Sequence, residues 1–206
     1  MKSLKSRLRA LFSIGNYYTW DKVPTDGKFS ITQLIYPLRY DVLVRKSFFD
    51  LYKTHQELYR SNLPAFIKLT KQHPYYIWFV EVAIAKAKPE IRADQSKIDK
   101  AFIKRVHRSI SLYENMKASG FDRSKPIILQ AGDTVITPKS GVKTDHEVYP
   151  ADGCHRLACL VSFGYTQLPA DYIRLRRYKK LQPLDNTSLL AVHNTVDINW
   201  PREYLN

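Results

Sequence analysis

Residues 152–173 read DGCHRLACLVSFGYTQLPADYI, and this stretch decides the fold that the sequence predicts. Gly153 allows a tight turn, and the apolar run after it is typical of a short helix over residues 156–163 that stops at Gly164. The first turn of such a helix presents backbone N–H groups that have no partner within the helix. Those groups and the helix dipole favour a bound anion at residues 152–156.

The side chains at this turn suit a phosphate group. Arg156 can make a bidentate, charge-assisted contact with phosphate oxygens, and His155 can donate a hydrogen bond or shuttle a proton. Asp152 can cap the helix or hold a Mg²⁺ ion that bridges phosphates. Cys154 is either a small residue at a helix start or a thiol activated by its surroundings. With Gly153, these four residues predict a nucleotide-binding turn.

The rest of the chain alternates between helical and extended patterns. The periodicity predicts helices over 41–60, 64–72 and 96–118, the last with Ser96 as N-cap and Gly120 as stop. It predicts strands over 75–85, 126–130, 133–137, 147–150 and 170–175, with irregular structure over 14–40 and a polar loop over 138–145. This order predicts an α/β (α+β) fold, in which a small mixed β-sheet packs with helices.

The quoted run resembles the signature of the ParB/sulfiredoxin superfamily, a small-residue turn followed by His-Arg, an apolar helix, a Gly and a strand with Pro. Residues 111–129 (SLYENMKASGFDRSKPIIL) are similar to the helix-Gly-turn-Pro-strand segment of the same superfamily. The resemblance covers residues 75–176 and implies a nucleotide-binding domain there. Residues 1–74 would then be an N-terminal helical extension, and residues 177–206 a basic C-terminal tail.

Three branches of the superfamily imply different functions. Asp-Gly-x-His-Arg at residues 152–156 resembles free serine kinases, which implies an ATP- or ADP-dependent phosphotransferase with Mg²⁺. The Gly-Cys-His-Arg run also resembles sulfiredoxins, in which the residue at Cys154 repairs an overoxidised peroxiredoxin with ATP, although sulfiredoxins usually have Gly where Asp152 stands. Partition ParB proteins bind CTP and DNA. Their helix-turn-helix pattern does not follow residue 176, so sequence-specific DNA binding is not expected.

The kinase resemblance also implies a general base. Those kinases place a catalytic Glu shortly after a Lys-Pro, and Glu90 directly follows Lys88 and Pro89. Glu90 would take a proton from the acceptor hydroxyl, with Glu81 as the alternative, or either Glu is a solvated carboxylate. The acceptor would be a hydroxyl of a small molecule or glycan, and similar proteins imply a link to bacterial surface-polysaccharide assembly.

The charge of the chain predicts anionic partners. There are 33 Lys and Arg against 19 Asp and Glu, which gives a formal net charge of +14. Residues 2–13 form a basic amphipathic pattern, suited to docking on the core or to reversible contact with an anionic membrane. Residues 174–180 (RLRRYKK) suit nonspecific nucleic-acid contact or a solvated face. Asp145, His146 and Glu147 could bind a metal or substrate, or lie in a solvated loop.

Cysteine usage and hydropathy bear on the compartment. Cys154 and Cys159 are five residues apart and do not share a helix face, so neither a disulfide between them nor a zinc site is expected. This pattern favours a reducing compartment. No apolar run approaches the ~20 residues that span a bilayer, and no signal peptide is visible. We therefore expect a cytoplasmic protein that could lie at the inner face of the membrane.

Overall fold

The computed structural model describes residues 18–21, 28–84, 87, 89–138, 141 and 148–187, and for 18–21 it describes the backbone alone. The helix predicted over residues 2–13 lies outside the described residues. So does the site predicted at Asp145, His146 and Glu147. None of the described helices has the length and apolar character needed to cross a bilayer.

A mixed four-stranded sheet and a two-stranded sheet provide the β-structure. The strands are β1 (Tyr18–Asp21), β2 (Lys28–Ser30), β3 (Ile127–Val135), β4 (Val148–Asp152), β5 (Gln167–Pro169) and β6 (Ile173–Leu181). The larger sheet has the order β1-β6-β3-β4. β3 and β6 run parallel, whereas β1 and β4 are antiparallel to their neighbours. β2 pairs with β5 in the small sheet. The fold is mixed α+β, as predicted.

Helices pack with the larger sheet and make up most of the described residues. They are α1 (Ile31–Ile35), α2 (Tyr40–Thr54), α3 (Gln56–Ser61), α4 (Leu63–Lys71), α5 (Pro74–Trp78), α6 (Pro89–Arg92), α7 (Gln95–Ser119) and α8 (Cys154–Ser162). Helix α7 ends at Gly120, which has φ +75° and is the predicted stop. Its N-cap is Asp94 rather than the predicted Ser96, because the Asp94 carboxylate accepts the Lys97 N–H at 3.2 Å.

The strand predicted over residues 75–85 is wrong. The segment forms α5 and a π-helical turn over Phe79–Ala83. Pro74 occupies the first turn, and His73 Nδ1 accepts the Tyr75 N–H at 3.1 Å, so the local signals start a helix. Tyr75, Trp78 and Phe79 are buried at three- and four-residue spacing. Helical packing of these rings therefore overrides the β-propensity of aromatic and branched residues.

The two strands predicted over 126–130 and 133–137 are one continuous strand, β3. A Cβ at Gly132 would lie 2.5 Å from the Leu181 Cβ, so this glycine allows β6 to approach closely. The basic run after residue 175 is likewise part of β6 rather than an irregular tail, and a 3₁₀ turn over Ala170–Tyr172 precedes that strand.

Other predictions before residue 75 are partly confirmed. Helices α2 and α3 account for the predicted helix over 41–60, with a break at His55, and α4 accounts for the helix over 64–72. Residues 14–40 are not wholly irregular, because β1, β2 and α1 lie among them.

One hydrophobic core joins the N-terminal helices to the rest of the fold. Phe48 of α2 stacks on Tyr75 with ring centroids 4.2 Å apart. Phe49 stacks on Tyr113 of α7 at 5.3 Å. These four rings are buried in a single cluster that also includes residues of β3, α8 and β6. The domain boundary proposed at residue 74 thus passes through a continuous core.

Phe48→Ala tests whether this core unfolds as one unit. Phe48 is 0% exposed, and loss of a buried Phe ring costs about 3–5 kcal/mol. We expect the free energy of unfolding in urea to fall by that amount in one cooperative transition. Leu184→Ala is the control, because Leu184 is 43% exposed and its loss should cost under about 0.5 kcal/mol. Two separate transitions, with only one shifted by Phe48→Ala, would contradict the single core.

Candidate functional site

Gly153 forms the turn between β4 and α8. Its φ of +82° lies in the left-handed region that favours glycine. A Cβ there would also lie 2.9 Å from Arg156 Nη2 and 3.1 Å from the Ile127 Cα. The first helical bond of α8 runs from the Leu157 N–H to the Gly153 carbonyl. The amides before Leu157 therefore precede the helical ladder, as the sequence predicted, and favour an anion there.

Asp152 and Arg156 lie on either side of this turn. Asp152 is exposed, and its Oδ1 accepts the Gly153 N–H at 2.6 Å. Arg156 Nη2 donates to the Pro126 carbonyl at 3.0 Å, which orients the guanidinium across the end of β3. Arg156 Nε is buried, and in the described part of the chain it has no acceptor. The predicted carboxylate and guanidinium are therefore both close to Gly153.

His155 points toward the aromatic side chains of α5. Its Nε2 lies 3.1 Å from the Tyr75 hydroxyl, which in turn lies 2.7 Å from Ser109 Oγ. The His155 ring is also 5.6 Å from the Trp78 ring. Burial, followed by the positive charges of Arg45 and Arg105, holds the pKa of His155 well below its usual range. The imidazole is therefore neutral near pH 7, with one ring nitrogen that donates a hydrogen bond and one that accepts.

Three buried charged residues of the N-terminal region lie beneath this turn. Arg39 Nε and Nη2 donate to the two carboxylate oxygens of Asp41, at 2.9 and 3.2 Å. Arg45 Nη1 donates to Asp41 Oδ2 and, at 2.9 Å, to the Asp41 carbonyl. Arg39 Nη1 also donates to the Pro150 carbonyl in β4. We call Arg39, Asp41 and Arg45 the buried triad.

The buried triad carries one more positive than negative charge. Burial alone would raise the pKa of Asp41, but Arg39 and Arg45 outweigh it and hold that pKa well below its usual range. Asp41 is therefore ionised, and both arginines are always charged. An uncompensated charge is costly to bury, so the triad favours an additional negative charge nearby.

Cys154 is in contact with the triad. Arg39 Nη2 donates to Cys154 Sγ at 2.8 Å. Burial raises the pKa of the Cys154 thiol, although the charges of Arg39 and Arg45 oppose this. Cys159 is buried as well, and burial raises its pKa too; both cysteines are free thiols. The environment of Cys154 therefore favours a protonated thiol over the thiolate that nucleophilic attack requires.

Several donors near His155 are buried without an acceptor. In residues that the structure describes, Arg45 Nε, Trp78 Nε1 and Arg156 Nε have no hydrogen-bond partner. Arg45 lies over the Trp78 ring, with its guanidinium carbon 4.2 Å from the ring centroid. Arg45 and Trp78 are each more than nine-tenths buried. Because buried donors normally have acceptors, these three groups fit a ligand rich in acceptor oxygens.

The two candidate bases lie on other elements. Glu90 is in the first turn of α6, which packs on α7, and its side chain is exposed. Lys97 Nζ lies 3.5 Å from the Glu90 carbonyl. Glu81 is exposed in the π-helical turn. The structure thus brings together Asp152, Gly153, Cys154, His155 and Arg156, and it places Glu90 and Glu81 outside that turn.

Sequence reasoning did not find the buried triad. Asp41 and Arg45 lie at positions i and i+4 of α2, and Phe48 and Tyr52 continue the same face at i+7 and i+11. Charged residues on the apolar face of an amphipathic helix were the available signal. Arg39 precedes the helix, and only the fold brings it to Cys154.

The chain matches no protein-family model, no curated protein and no solved structure. Among the described residues, no group of three or more His, Cys, Asp or Glu side chains is arranged to hold a metal ion. Asp152 alone could contribute one carboxylate to Mg²⁺, which proteins often bind through one or two carboxylates plus the phosphates of a substrate. The functional argument therefore depends on the geometry of the turn and the triad.

Asp41→Asn tests the role of the buried triad. The substitution leaves two buried guanidinium groups without a carboxylate, which should lower the free energy of unfolding by about 3–5 kcal/mol. Asp171→Asn is the matched control, because Asp171 pairs with Arg123 at 2.6 Å on the surface and its loss should cost no more than about 1 kcal/mol. Equal losses for the two variants in urea unfolding would refute the importance of the triad.

The neutral state of His155 predicts a pH dependence of stability. Its pKa is lowered in the folded protein, so below about pH 6.5 the unfolded chain gains a proton that the folded protein does not. Stability should therefore fall as the pH decreases below this value. His155→Gln should reduce the slope of the free energy of unfolding against pH by up to about 1.4 kcal/mol per pH unit.

His73 provides the comparison for this pH effect. Burial lowers the pKa of His73 to about 4, so it should contribute to the slope in the same direction. In the double variant His73→Gln/His155→Gln, the free energy of unfolding should hardly change between pH 6.5 and about pH 4, where carboxylates titrate. An unchanged slope in His155→Gln, measured by urea unfolding at a series of pH values, would show that the pKa of His155 is not lowered in the folded protein.

Proposed function

We propose that this protein is a nucleotide-dependent phosphotransferase that binds nucleotide phosphates at the amino end of α8. The observation that carries the proposal is the excess of buried donors and positive charge there. The triad contributes one net positive charge, and Arg45, Trp78 and Arg156 each have a buried donor without an acceptor among the described residues. A phosphate chain supplies both acceptor oxygens and negative charge.

The residues of the turn have distinct roles in this proposal. Helix α8 directs its first-turn amides at the phosphates, and Arg156 binds phosphate oxygens through its free Nε. His155, held neutral and bonded to Tyr75, donates or accepts one hydrogen bond without adding charge. Asp152 releases the Gly153 N–H when ligand binds and would hold Mg²⁺ with the phosphates. These roles need no reactive cysteine.

The transfer step follows from the resemblance to free serine kinases. The acceptor hydroxyl oxygen would attack the terminal phosphorus, a carboxylate would take the hydroxyl proton, and ADP or AMP would leave from ATP or ADP. Glu90 is the proposed base, with Glu81 as the alternative. The acceptor would be a hydroxyl of a small molecule or a glycan, and transfer to a glycan would connect the protein to surface-polysaccharide assembly.

Two alternative functions remain distinct from this one. A sulfiredoxin-like repair enzyme would use Cys154 as the nucleophile, but the raised pKa of its thiol disfavours that role. A noncatalytic protein that binds nucleotides or nucleic acid is favoured by the basic strand β6. That strand carries five cations and no carboxylate: Arg174, Arg176, Arg177, Lys179 and Lys180.

Thermal shift with nucleotides tests the binding site. ATP, ADP, CTP and GTP are compared with Mg²⁺, and a nucleotide at about 100 times its Kd should stabilise the folded protein by ~2.7 kcal/mol. Arg156→Ala should lose most of this stabilisation. Arg123→Ala is the matched control. Arg123 pairs with Asp171 on the surface, so this variant should bind nucleotide as the wild type does. If no nucleotide stabilises the wild type, the proposal is refuted.

Two substitutions separate phosphoryl transfer from cysteine chemistry. We expect Glu90→Gln to lower the rate of nucleotide-dependent phosphorylation or hydrolysis by roughly 10²–10⁴-fold while nucleotide binding persists. Cys154→Ser should retain most of the rate, since its thiol is protonated and serves as a hydrogen-bond acceptor for Arg39. The reverse result, loss in Cys154→Ser and retention in Glu90→Gln, would favour the repair enzyme. Nucleotide binding without turnover in the wild type would favour the noncatalytic protein.

A further inference from the structure

A cavity lies at the opposite end of α8 from the glycine turn. Its volume is about 460 Å³, within the usual range for small-ligand sites. Helix α8 has nine residues, so at ~1.5 Å per residue the two ends are separated by roughly 13 Å. The described residues that line the cavity are Lys28, Phe163, Gly164, Tyr165, Thr166, Gln167 and Pro169. None of them belongs to the phosphate site proposed above.

The end of α8 forms one wall of this cavity in a fixed shape. The Tyr165 N–H donates to the Leu160 carbonyl and the Gly164 N–H to the Val161 carbonyl, each at 3.0 Å. Gly164 has φ +88°, and a Cβ there would have nothing within 4 Å, so the space beside the turn is open. This hydrogen-bonding pattern closes a helix end with its carbonyls satisfied, which weakens the negative end of the helix dipole.

The aromatic rings of the cavity are held by contacts behind it. Phe163 packs on the buried Tyr113 ring, with centroids 5.0 Å apart. Tyr165 lies close to Tyr172, and Tyr172 stacks on Phe121 with ring centroids 4.1 Å apart. Tyr165 nevertheless remains 40% exposed. An exposed ring that is already positioned loses little conformational entropy when a ligand ring packs against it.

The opposite wall comes from the small sheet and adds charge and polarity. Lys28 of β2 pairs with Pro169 of β5 in the register of the small sheet, and both residues line the cavity. Thr166 and Gln167 add a hydroxyl and an amide, and both residues are exposed. Among the described residues that line the cavity there is one cation and no carboxylate, which favours an anionic ligand.

We propose that this cavity binds a monosaccharide acid, a sugar ring that carries one carboxylate. The sugar ring packs on Tyr165 and Pro169, its hydroxyls bond Thr166 and Gln167, and its carboxylate faces Lys28. Aromatic side chains supply apolar area to one face of a ring, while neutral polar groups fix its orientation. The site is separate from the nucleotide site, so the sugar acid binds whether or not the proposed phosphotransferase activity is correct.

Titration followed by NMR tests the proposal with defined probes. Glucuronate, glucose, benzoate and acetate are each added to ¹⁵N-labelled full-length protein while the backbone amides of residues 163–169 are observed. We expect saturable shifts with glucuronate at a millimolar Kd, and at least fivefold weaker binding of glucose, benzoate and acetate. Failure of glucuronate to shift these amides at millimolar concentration would overturn the proposal. So would benzoate binding as tightly as glucuronate, since it lacks hydroxyls, or acetate producing the same shifts.

Variants of the lining assign the contacts. Tyr165→Ala should weaken glucuronate binding about tenfold and Lys28→Met about fivefold, the ranges expected for an exposed ring contact and an exposed ion pair. Lys179→Met is the matched control, because it removes an exposed lysine from β6 and should leave binding unchanged. Urea unfolding confirms that each variant is folded. Equal weakening by all three variants would overturn the cavity as the site.

Arg156→Ala separates this site from the nucleotide site. We expect this variant to bind glucuronate with the wild-type Kd while it loses nucleotide binding. A loss of glucuronate binding in folded Arg156→Ala would place the sugar acid at the amino end of α8 and would overturn the second site. Failure of nucleotide binding in the wild type would leave the glucuronate result unaffected.

Discussion

The candidate site depends on the hydrogen bonds that the buried carboxylate of Asp41 accepts from two arginines. These arginines are Arg39 and Arg45. Arg39 also donates hydrogen bonds to the Pro150 carbonyl and to the Cys154 sulfur. Helix α2 is thereby fixed to the strand before the glycine turn and to the helix after it. A buried ion pair adds little net stability compared with apolar packing, but the loss of one partner is costly. Asp41 therefore determines the position of the arginines.

The same network explains the electrostatics of the turn. Two arginines and one aspartate leave a positive charge close to His155, and that charge acts with burial to keep the imidazole neutral. The amino end of α8 adds a partial positive charge of its own. Asp152 supplies the local negative charge, because its carboxylate accepts the Gly153 N–H. The arrangement suits an anion that replaces this carboxylate at the amides, and it disfavours a reactive thiolate at Cys154.

The local features of the fold could be predicted from the sequence. Gly153, Gly164 and Gly120 each adopt positive φ at the turn or helix end where the sequence placed them, because few other residues tolerate that conformation. The mixed sheet also followed from the order of apolar segments. The segment 75–85 could not be predicted in the same way, since its aromatic residues favour a strand locally and form a helix only because their rings pack against α2 and α7.

The non-local features were not predictable from the sequence. The role of Gly132 depends on the approach of β6, which lies about fifty residues further along the chain. The buried triad depends on the packing of α2 against α8, which brings Arg39 to Cys154 across more than one hundred residues. Glu90 was predicted from a local motif, and its exposed position on α6 leaves its role to experiment. Local conformational preferences were predictable, whereas contacts between distant segments were not.

The most direct test of the central claim is an NMR titration of the wild-type protein with pyrophosphate. The account predicts that the Trp78 indole N–H and the backbone amides of His155 and Arg156 shift together and saturate with one Kd, because these donors would bind the same anion. Shifts confined to exposed lysines and arginines of α7 and β6, without saturation and with the Trp78 indole unchanged, would contradict it. That result would mean that the basic surface attracts anions nonspecifically and that the buried donors do not bind them.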